Sequence, residues 1–419
     1  MTHTFDTVIV GAGIFGTTAA VELARRGQRI ALLDPGPIPH PLAASTDISK
    51  VVRLEYGADL EYMVLMESAR TEWLRWNEEL GAELYHETGV VLVTRATMAP
   101  GEYEYESFEL LIERGHRPER LDVDEIARRF PAWRPGAYSD GFYHAMGGYA
   151  ESGRVVASLV DRARQLGVAL YPGQTVDRVL GDETRVTGAA TREGESFAAG
   201  QVLIAAGAWT PILVPELTSV MRVTGHPVFH LQPTASELFH PPHFAVFTAD
   251  ITRSGWYGFP MHPVGRTSRH AMRRGVDAER SYQAAGYSID GVVKVANHGI
   301  GQELHPMRDE RVVTEHDVAN LRTFLRDALP SLADAPVTYT RRCLYCDTLD
   351  GDFLIDRHPD REGLFVASGG SGHGFKFAPI LGQLAADVVL DQPNPHLAKF
   401  RWRDIPPDKT GKEGARYQG

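Results

Sequence analysis

Six residues near the N-terminus constrain this chain more than any other segment. Gly11-Ala-Gly-Ile-Phe-Gly16 follows a short β-branched run at 7–10 and precedes residues 17–26, which read as a helix closed by Gly27. Residues 29–33 supply a second strand, and Asp34 ends it, 23 residues after the first glycine. Strand, glycine turn, helix, strand and acid in that order make a βαβ unit with dinucleotide-binding spacing. The chemistry requires each glycine in its place. Gly11 allows the tight turn, Gly13 lets backbone amides reach a pyrophosphate, and Gly16 lets the helix lie close to the strand. The helix N-terminus then faces the phosphates, and Asp34 can accept from ribose hydroxyls.

The 419 residues predict two to three domains at about 150 residues each. Apolar residues make up 43% and charged residues 23%, an ordinary globular balance, and the net charge of -11 disfavours nucleic acid and anionic membrane as partners. No basic region precedes the first apolar run, and no apolar stretch approaches the ~20 residues of a membrane span. The chain is therefore expected to be cytoplasmic and unprocessed. Its two cysteines, Cys343 and Cys346, argue against a secreted disulfide framework.

Further along, Tyr62, Leu65, Met66, Ala69, Trp73, Trp76 and Leu80 recur at helical spacing and predict a helix over 59–80. Residues 101–109 read as an acidic loop, and 131–148, rich in Pro, Gly and aromatics, as a crossing between domains. Helices are expected at 154–166, 315–329 and 379–390, strands at 201–206 and 364–367, and short strands with turns over 227–297. Because strand, glycine turn and helix recur at the start, middle and end, the nucleotide domain is expected to be discontinuous. The fold class is α/β plus α+β: a Rossmann-like nucleotide-binding domain (1–85, 150–225, 340–395), in a layout that suits a flavin enzyme better than a nicotinamide one, with an inserted substrate domain on a mixed or antiparallel sheet (86–149, 226–339). Residues 404–419 are expected to be a flexible tail.

Four strings downstream form an ordered set: Tyr257-Gly-Phe-Pro260, Lys294-Val-Ala-Asn-His298-Gly299, Cys343-Leu-Tyr345-Cys-Asp347-Thr348 and Ser371-Gly-His373-Gly-Phe-Lys376. Taken singly, they leave alternatives open. Cys343 and Cys346 could be a redox disulfide, half a zinc site without a second cysteine pair to complete it, or buried structural thiols. Lys294 follows Val292 and Val293 in a strand pattern, where a charge is either at an exposed edge or buried for a reason. Arg53, Lys50 and Lys376 could each be solvated surface charges. His226, His230, His240 and His243 lack tight ligand spacing, so no metal is assigned. Gly369-Gly-Ser371-Gly-His373 misses the hydrolase elbow because its fifth position is His.

Together with the stretch from Gly11 to Asp34, this set resembles the monomeric sarcosine oxidase family of D-amino-acid-oxidase-like flavoproteins, which includes N-methyltryptophan, pipecolate and fructosyl amino acid oxidases. The resemblance runs from Gly11 to about Leu390. It implies FAD held by Gly11, Gly13, Ile14, Phe15, Gly16 and Asp34. Ser45, Thr46, Lys50, Val176, Ala206, Gly207, Trp209, Gly370, Gly372, His373, Gly374 and Lys376 are implied to contribute as well. It also implies a covalent link from the flavin 8α-methyl to Cys343, whose thiolate Arg341 or Arg342 would favour. Arg53 and Lys376 correspond to a clamp on the substrate carboxylate, one bidentate and one a point charge. Lys294 corresponds to a lysine near the flavin that promotes electron transfer to O2, and His298, His373, Tyr257 and Tyr345 to active-site residues.

The implied reaction oxidises the secondary amine of an N-substituted amino acid, of sarcosine or N-alkyl type. It gives an imine, then amine plus aldehyde or keto product, and hydrogen peroxide. Two alternatives stand beside it. Asp47-Ile-Ser-Lys50 is similar to a string of fructosyl amino acid (Amadori product) oxidases, and a flavin amine dehydrogenase would pass its electrons elsewhere. The partners expected are the amino acid and O2, and the chain is expected as a monomer or small homo-oligomer. One departure from the family is plain. Residues 264–289, carrying five arginines, are inserted between His262-Pro263 and Asp290-Gly291, where the family has a short turn; the flanks should still pair as a hairpin.

Overall fold

The computed structural model describes residues 2–262, 291–406 and 413–417. The inserted residues 264–289 lie outside the described residues. Around the strand Thr2–Val10 an eight-stranded sheet assembles, with Ile30–Asp34 and Ser196–Ile204 as its parallel neighbours. Ala169–Pro172 continues the parallel order on one side, and Leu364–Ser368 pairs in parallel with the second half of Ser196–Ile204 on the other. These central strands are continuous apolar runs, with Val8, Ile9, Leu32, Leu33, Val202 and Ile204 fully buried, as a parallel sheet covered on both faces requires. The helices Ile14–Arg25 and Ala378–Val389 pack on one another, and Ser152–Gln165 and Leu60–Glu79 join them. The predicted long helix is Leu60–Glu79, with the Asp59 carboxylate accepting from the Tyr62 amide as its N-cap.

A nine-stranded sheet forms the second layer. Its order runs from Gln302–Glu303 through Met221–Leu231, Val293–Asn297, Trp256–Gly258, Val246–Ala249, Val90–Thr94 and Asp140–His144 to Glu119–Asp122. All pairs in it are antiparallel except Val246–Ala249 with Val90–Thr94. Trp256–Gly258 and Val293–Asn297, the flanks of the insertion, pair as a hairpin with Tyr257 opposite Ala296. Val337–Thr348 lies along the whole of Met221–Leu231, placing Cys343 opposite His226. Both strands run unbroken through positions 225/226 and 339/340, so the domain boundaries expected there fall inside strands.

Two sequence expectations change. Residues 101–109 are no loop: Tyr103–Glu113 is a helix, because Tyr103, Ser107 and Leu111, four apart, bury one face while the acids enrich its first turn. The tail is not frayed where it is described. Glu413, Ala415 and Arg416 are buried, since Glu413 and Arg416 find opposite charges inside, the Arg416 side chain donates to the Gly299 carbonyl and the Tyr417 amide to the His298 carbonyl. No helix among the described residues is long and apolar enough to cross a membrane.

Candidate active site

The turn after the first strand is built for a close approach. Gly11 has φ +102°, and a Cβ there would meet the Ala205 carbonyl oxygen at 2.5 Å. At Gly13 the nearest atom to such a Cβ is the Ser45 hydroxyl at 3.6 Å, so the space above Gly13 is left clear. Gly13 is also the N-cap of Ile14–Arg25 and has no side chain with which to cap it, leaving amide donors at the helix start. The Asp34 carboxylate accepts from the Ala12 amide at 2.9 Å and the Gly36 amide at 3.1 Å. An anion-ready helix start beside a fixed carboxylate suits a dinucleotide.

Of the other residues expected at the cofactor, Ser45, Gly370 and Gly374 lie against this helix start. The Ser45 hydroxyl accepts from the Ile14 amide at 3.2 Å, and Thr46 donates to the His40 carbonyl at 2.6 Å. Val176 packs in the same core as Val10 and Leu33, with Ala206 against it. Gly207 and Trp209 form the short helical turn after Ser196–Ile204. Gly370 and Gly374 leave room for the Phe15 ring, and at Gly372, φ +77°, a Cβ would strike Tyr345 and His298.

Cys343 is buried, with its Sγ 3.9 Å from the Ala44 carbonyl oxygen. The two arginines expected to favour its thiolate are engaged elsewhere. Arg342 pairs with Asp317 and with backbone carbonyls, and Arg341 donates to the carbonyls of Thr46 and Ala43. Cys346 lies between Met221 and Ser368, where burial pushes its thiol up to about 11. It is a packed thiol.

Lys294 is fully buried, which excludes an exposed strand lysine. Its Nζ donates to Asp47 Oδ2 at 2.6 Å and to the Ser49 carbonyl, and lies 4.8 Å from the Phe259 ring centroid. Burial lowers the ammonium to about 8 against the pull of Asp47, whose carboxyl is held well below its ordinary range by Lys294, His230 and Lys50 despite its own burial. Lys50 Nζ is 4.0 Å from the same carboxylate.

The remaining expected residues converge on Tyr56. Lys376 Nζ donates to Tyr56 Oη at 2.9 Å, and the Arg53 guanidinium lies 5.1 Å from the Tyr56 ring centroid. Tyr56 Oη lies 3.0 Å from His373 Nδ1, while His373 Nε2 is 3.0 Å from the Gly351 carbonyl oxygen. A carbonyl can only accept, so Nε2 carries the proton and Tyr56 donates to Nδ1. Burial and the Lys376 charge bring His373 down to about 3, so its ring stays neutral. Both ring nitrogens are committed, which makes His373 a positioning group. Arg53 donates to Tyr103 Oη, which donates to the Glu55 carbonyl at 2.7 Å, and Arg53 Nη2 pairs with Glu413 Oε1 at 2.9 Å. His298 Nε2 meets Glu413 Oε2 at 3.1 Å. The Tyr345 ring lies 6.1 Å from that of His298, and Tyr257 lies 6.5 Å from it on centroids.

Four residues of the site escaped sequence reasoning as site residues: Tyr56, Tyr103, Asp47 and Glu413. Asp47 carried a local signal, three residues before Lys50 in a string already singled out. Tyr103 and Glu413 carried none, because their partners are 50 and 360 residues away.

The helix start at Gly13 with the fixed Asp34 carboxylate, and the buried basic and tyrosine side chains around Tyr56, suit a nucleotide-dependent enzyme. Residues 6–388 match the family model described as DAO, FAD dependent oxidoreductase, and the chain belongs to that family. It is 30% identical over 425 residues to L-saccharopine oxidase of Schizosaccharomyces pombe, covering 95% of this chain and 93% of that one. To N-methyl-L-tryptophan oxidase of Salmonella heidelberg it is 29% identical over 403 residues, covering 95% and 98%. Among solved structures, fructosyl amine: oxygen oxidoreductase (Amadoriase I) of Aspergillus fumigatus shares the fold, with a TM-score of 0.78 at 22% identity over 99% of this chain and 94% of that one.

Proposed function

We propose that this FAD-dependent oxidoreductase is an oxidase acting on the secondary amine of an N-substituted amino acid, with O2 as electron acceptor. One observation carries the reading: two buried basic side chains, Arg53 and Lys376, lie against Tyr56, and burial together with Arg53 lowers the Lys376 ammonium well below its ordinary range, a cost that a bound substrate carboxylate would relieve. The relatives' names support the class, since N-methyl-L-tryptophan and L-saccharopine both carry a carbon substituent on the reacting nitrogen.

FAD, when bound, takes a hydride equivalent from the carbon beside that nitrogen and passes the electrons to O2, which leaves as hydrogen peroxide. The chain's own residues supply position and charge. Arg53 orients the carboxylate, Lys376 adds a point charge, and His373 keeps Tyr56 aimed at Lys376. Tyr257, Tyr345 and His298 wall the amine's side of the pocket and limit water. Lys294 presents a cation where negative charge develops on O2. Cys343, buried beside the Ala44 carbonyl, is the residue that would carry the link to the flavin 8α-methyl. Two free thiols suit a reducing cytoplasm.

The test compares N-methyl amino acids with the corresponding N-methyl amines lacking the carboxylate, under anaerobic conditions, by bleaching of the flavin absorbance. Only the amino acids should bleach the flavin, and in air each turnover should release one peroxide. Equal bleaching by the decarboxylated amines overturns the substrate class. Bleaching without peroxide assigns the electrons to another acceptor.

A further inference from the structure

We propose that residues 413–417 are an internal competitor of the substrate, with the Glu413 carboxylate holding the Arg53 seat until a carboxylate ligand displaces it. The inference rests on the reading that Arg53 receives the substrate carboxylate.

Glu413 offers Arg53 the chemical group the substrate would offer. One oxygen is 2.9 Å from Arg53 Nη2, the other 3.1 Å from His298 Nε2, and the side chain is buried. The pair with Glu413 and the donation to Tyr103 use part of the guanidinium, and a second carboxylate beside Glu413 in the same desolvated seat would meet its like charge. The segment is anchored to the pocket wall itself. Arg416 Nη1 lies 2.8 Å from Asp347 Oδ1, and Nη2 reaches Asp347 Oδ2 at 2.9 Å and Thr224 Oγ1 at 3.1 Å. Its Nε donates to the Gly299 carbonyl at 2.9 Å, and the Tyr417 amide donates to the His298 carbonyl at 3.1 Å. Asp347 stands two residues after Tyr345, and Gly299 follows His298, so the anchor joins the same two strings that carry Tyr345 and His298.

Two features make the occupancy reversible. Burying charged pairs costs desolvation that nearly cancels their attraction, so the docked segment gains little over the hydrated one. Lys376 donates to Tyr56 and not to Glu413, which leaves its amino group to receive an incoming carboxylate before Glu413 departs.

The experiment uses the FAD-loaded full chain, a form ending at residue 404, and Glu413→Gln, which keeps the Arg416 anchor and decides the question should the shortened form not fold. Acetate, a redox-inert carboxylate, is titrated against the flavin spectrum, and N-methylglycine is followed by saturation of anaerobic flavin reduction. Both should bind about 10- to 100-fold more tightly to the shortened form and about tenfold more tightly to Glu413→Gln. A synthetic peptide of residues 411–419 should reverse the gain competitively, and the same peptide with Glu413→Gln should not. Equal affinities in all three forms, or simultaneous binding of peptide and acetate, overturn the proposal. Should no N-methyl amino acid reduce the flavin in any form while acetate still gains affinity on shortening, the substrate reading falls and the internal competitor stands.

Discussion

Lys294 is a single side chain whose protonation sets a measurable pH limit. Burial lowers its ammonium to about 8 and Asp47 pulls the other way, so the cation is present below pH 8 and is lost as pH rises through that value. Reoxidation of reduced flavin by O2 should therefore slow as pH climbs through about 8. Asp47→Asn removes the anion that favours the charged form, and the fall should move to lower pH; stopped-flow mixing with O2 across pH measures both. Lys294→Met should slow reoxidation by roughly 100-fold while changing anaerobic flavin reduction much less, because the cation acts only on charge appearing at oxygen. Equal slowing of both halves removes that role. A second residue-scale expectation concerns Cys343. Acid-precipitated protein should stay yellow, Cys343→Ser should release its flavin, and Cys346→Ser should retain it, since the Cys346 thiol is pushed up to about 11 by burial and is a poor nucleophile.

In the first βαβ element, two glycines do different jobs, and substitution separates them. Gly11→Ala places a methyl 2.5 Å from the Ala205 carbonyl oxygen on a backbone with φ +102°, so both strain and collision oppose it. The variant should lose thermal stability and flavin together. Gly13→Ala meets nothing closer than 3.6 Å in the protein alone, so its unfolding midpoint without FAD should match the parent's. Its methyl nonetheless occupies the path of the pyrophosphate, and flavin content after purification should drop at least tenfold. Unchanged flavin content in Gly13→Ala would show that the phosphates lie elsewhere.

Over the whole molecule, the segment 43–55 is bound to the nine-stranded sheet by polar links from three of its strands. Arg341 holds the carbonyls of Ala43 and Thr46, Lys294 holds Asp47, and His144 Nδ1 lies 2.7 Å from Glu55 Oε1 with both side chains buried. Burial would raise the Glu55 carboxyl, but His144 and Arg53 bring it below its ordinary range. Removing one partner strands the other without water. Glu55→Ala should cost about 3–5 kcal/mol in urea unfolding, and Glu55→Gln less, since its amide oxygen still accepts. The double variant with His144→Ala should cost less than the sum of the singles.

The sequence by itself determined the βαβ unit, the long helix near residues 59–80, the strands around the insertion and the strings that carry Lys294, Cys343, His373 and Lys376. Each of these depends on interactions within a few residues or on a periodicity that one segment displays alone. Only the tertiary structure decided that residues 103–113 form a helix, that Arg341 and Arg342 donate to backbone carbonyls and Asp317, and that Glu413 pairs with Arg53 and His298. The physical reason is common to all three. The helix gains its stability from a face buried against other segments, and a guanidinium chooses its partner among groups brought close by folding. The Glu413 carboxylate meets Arg53 across 360 residues that no local pattern spans.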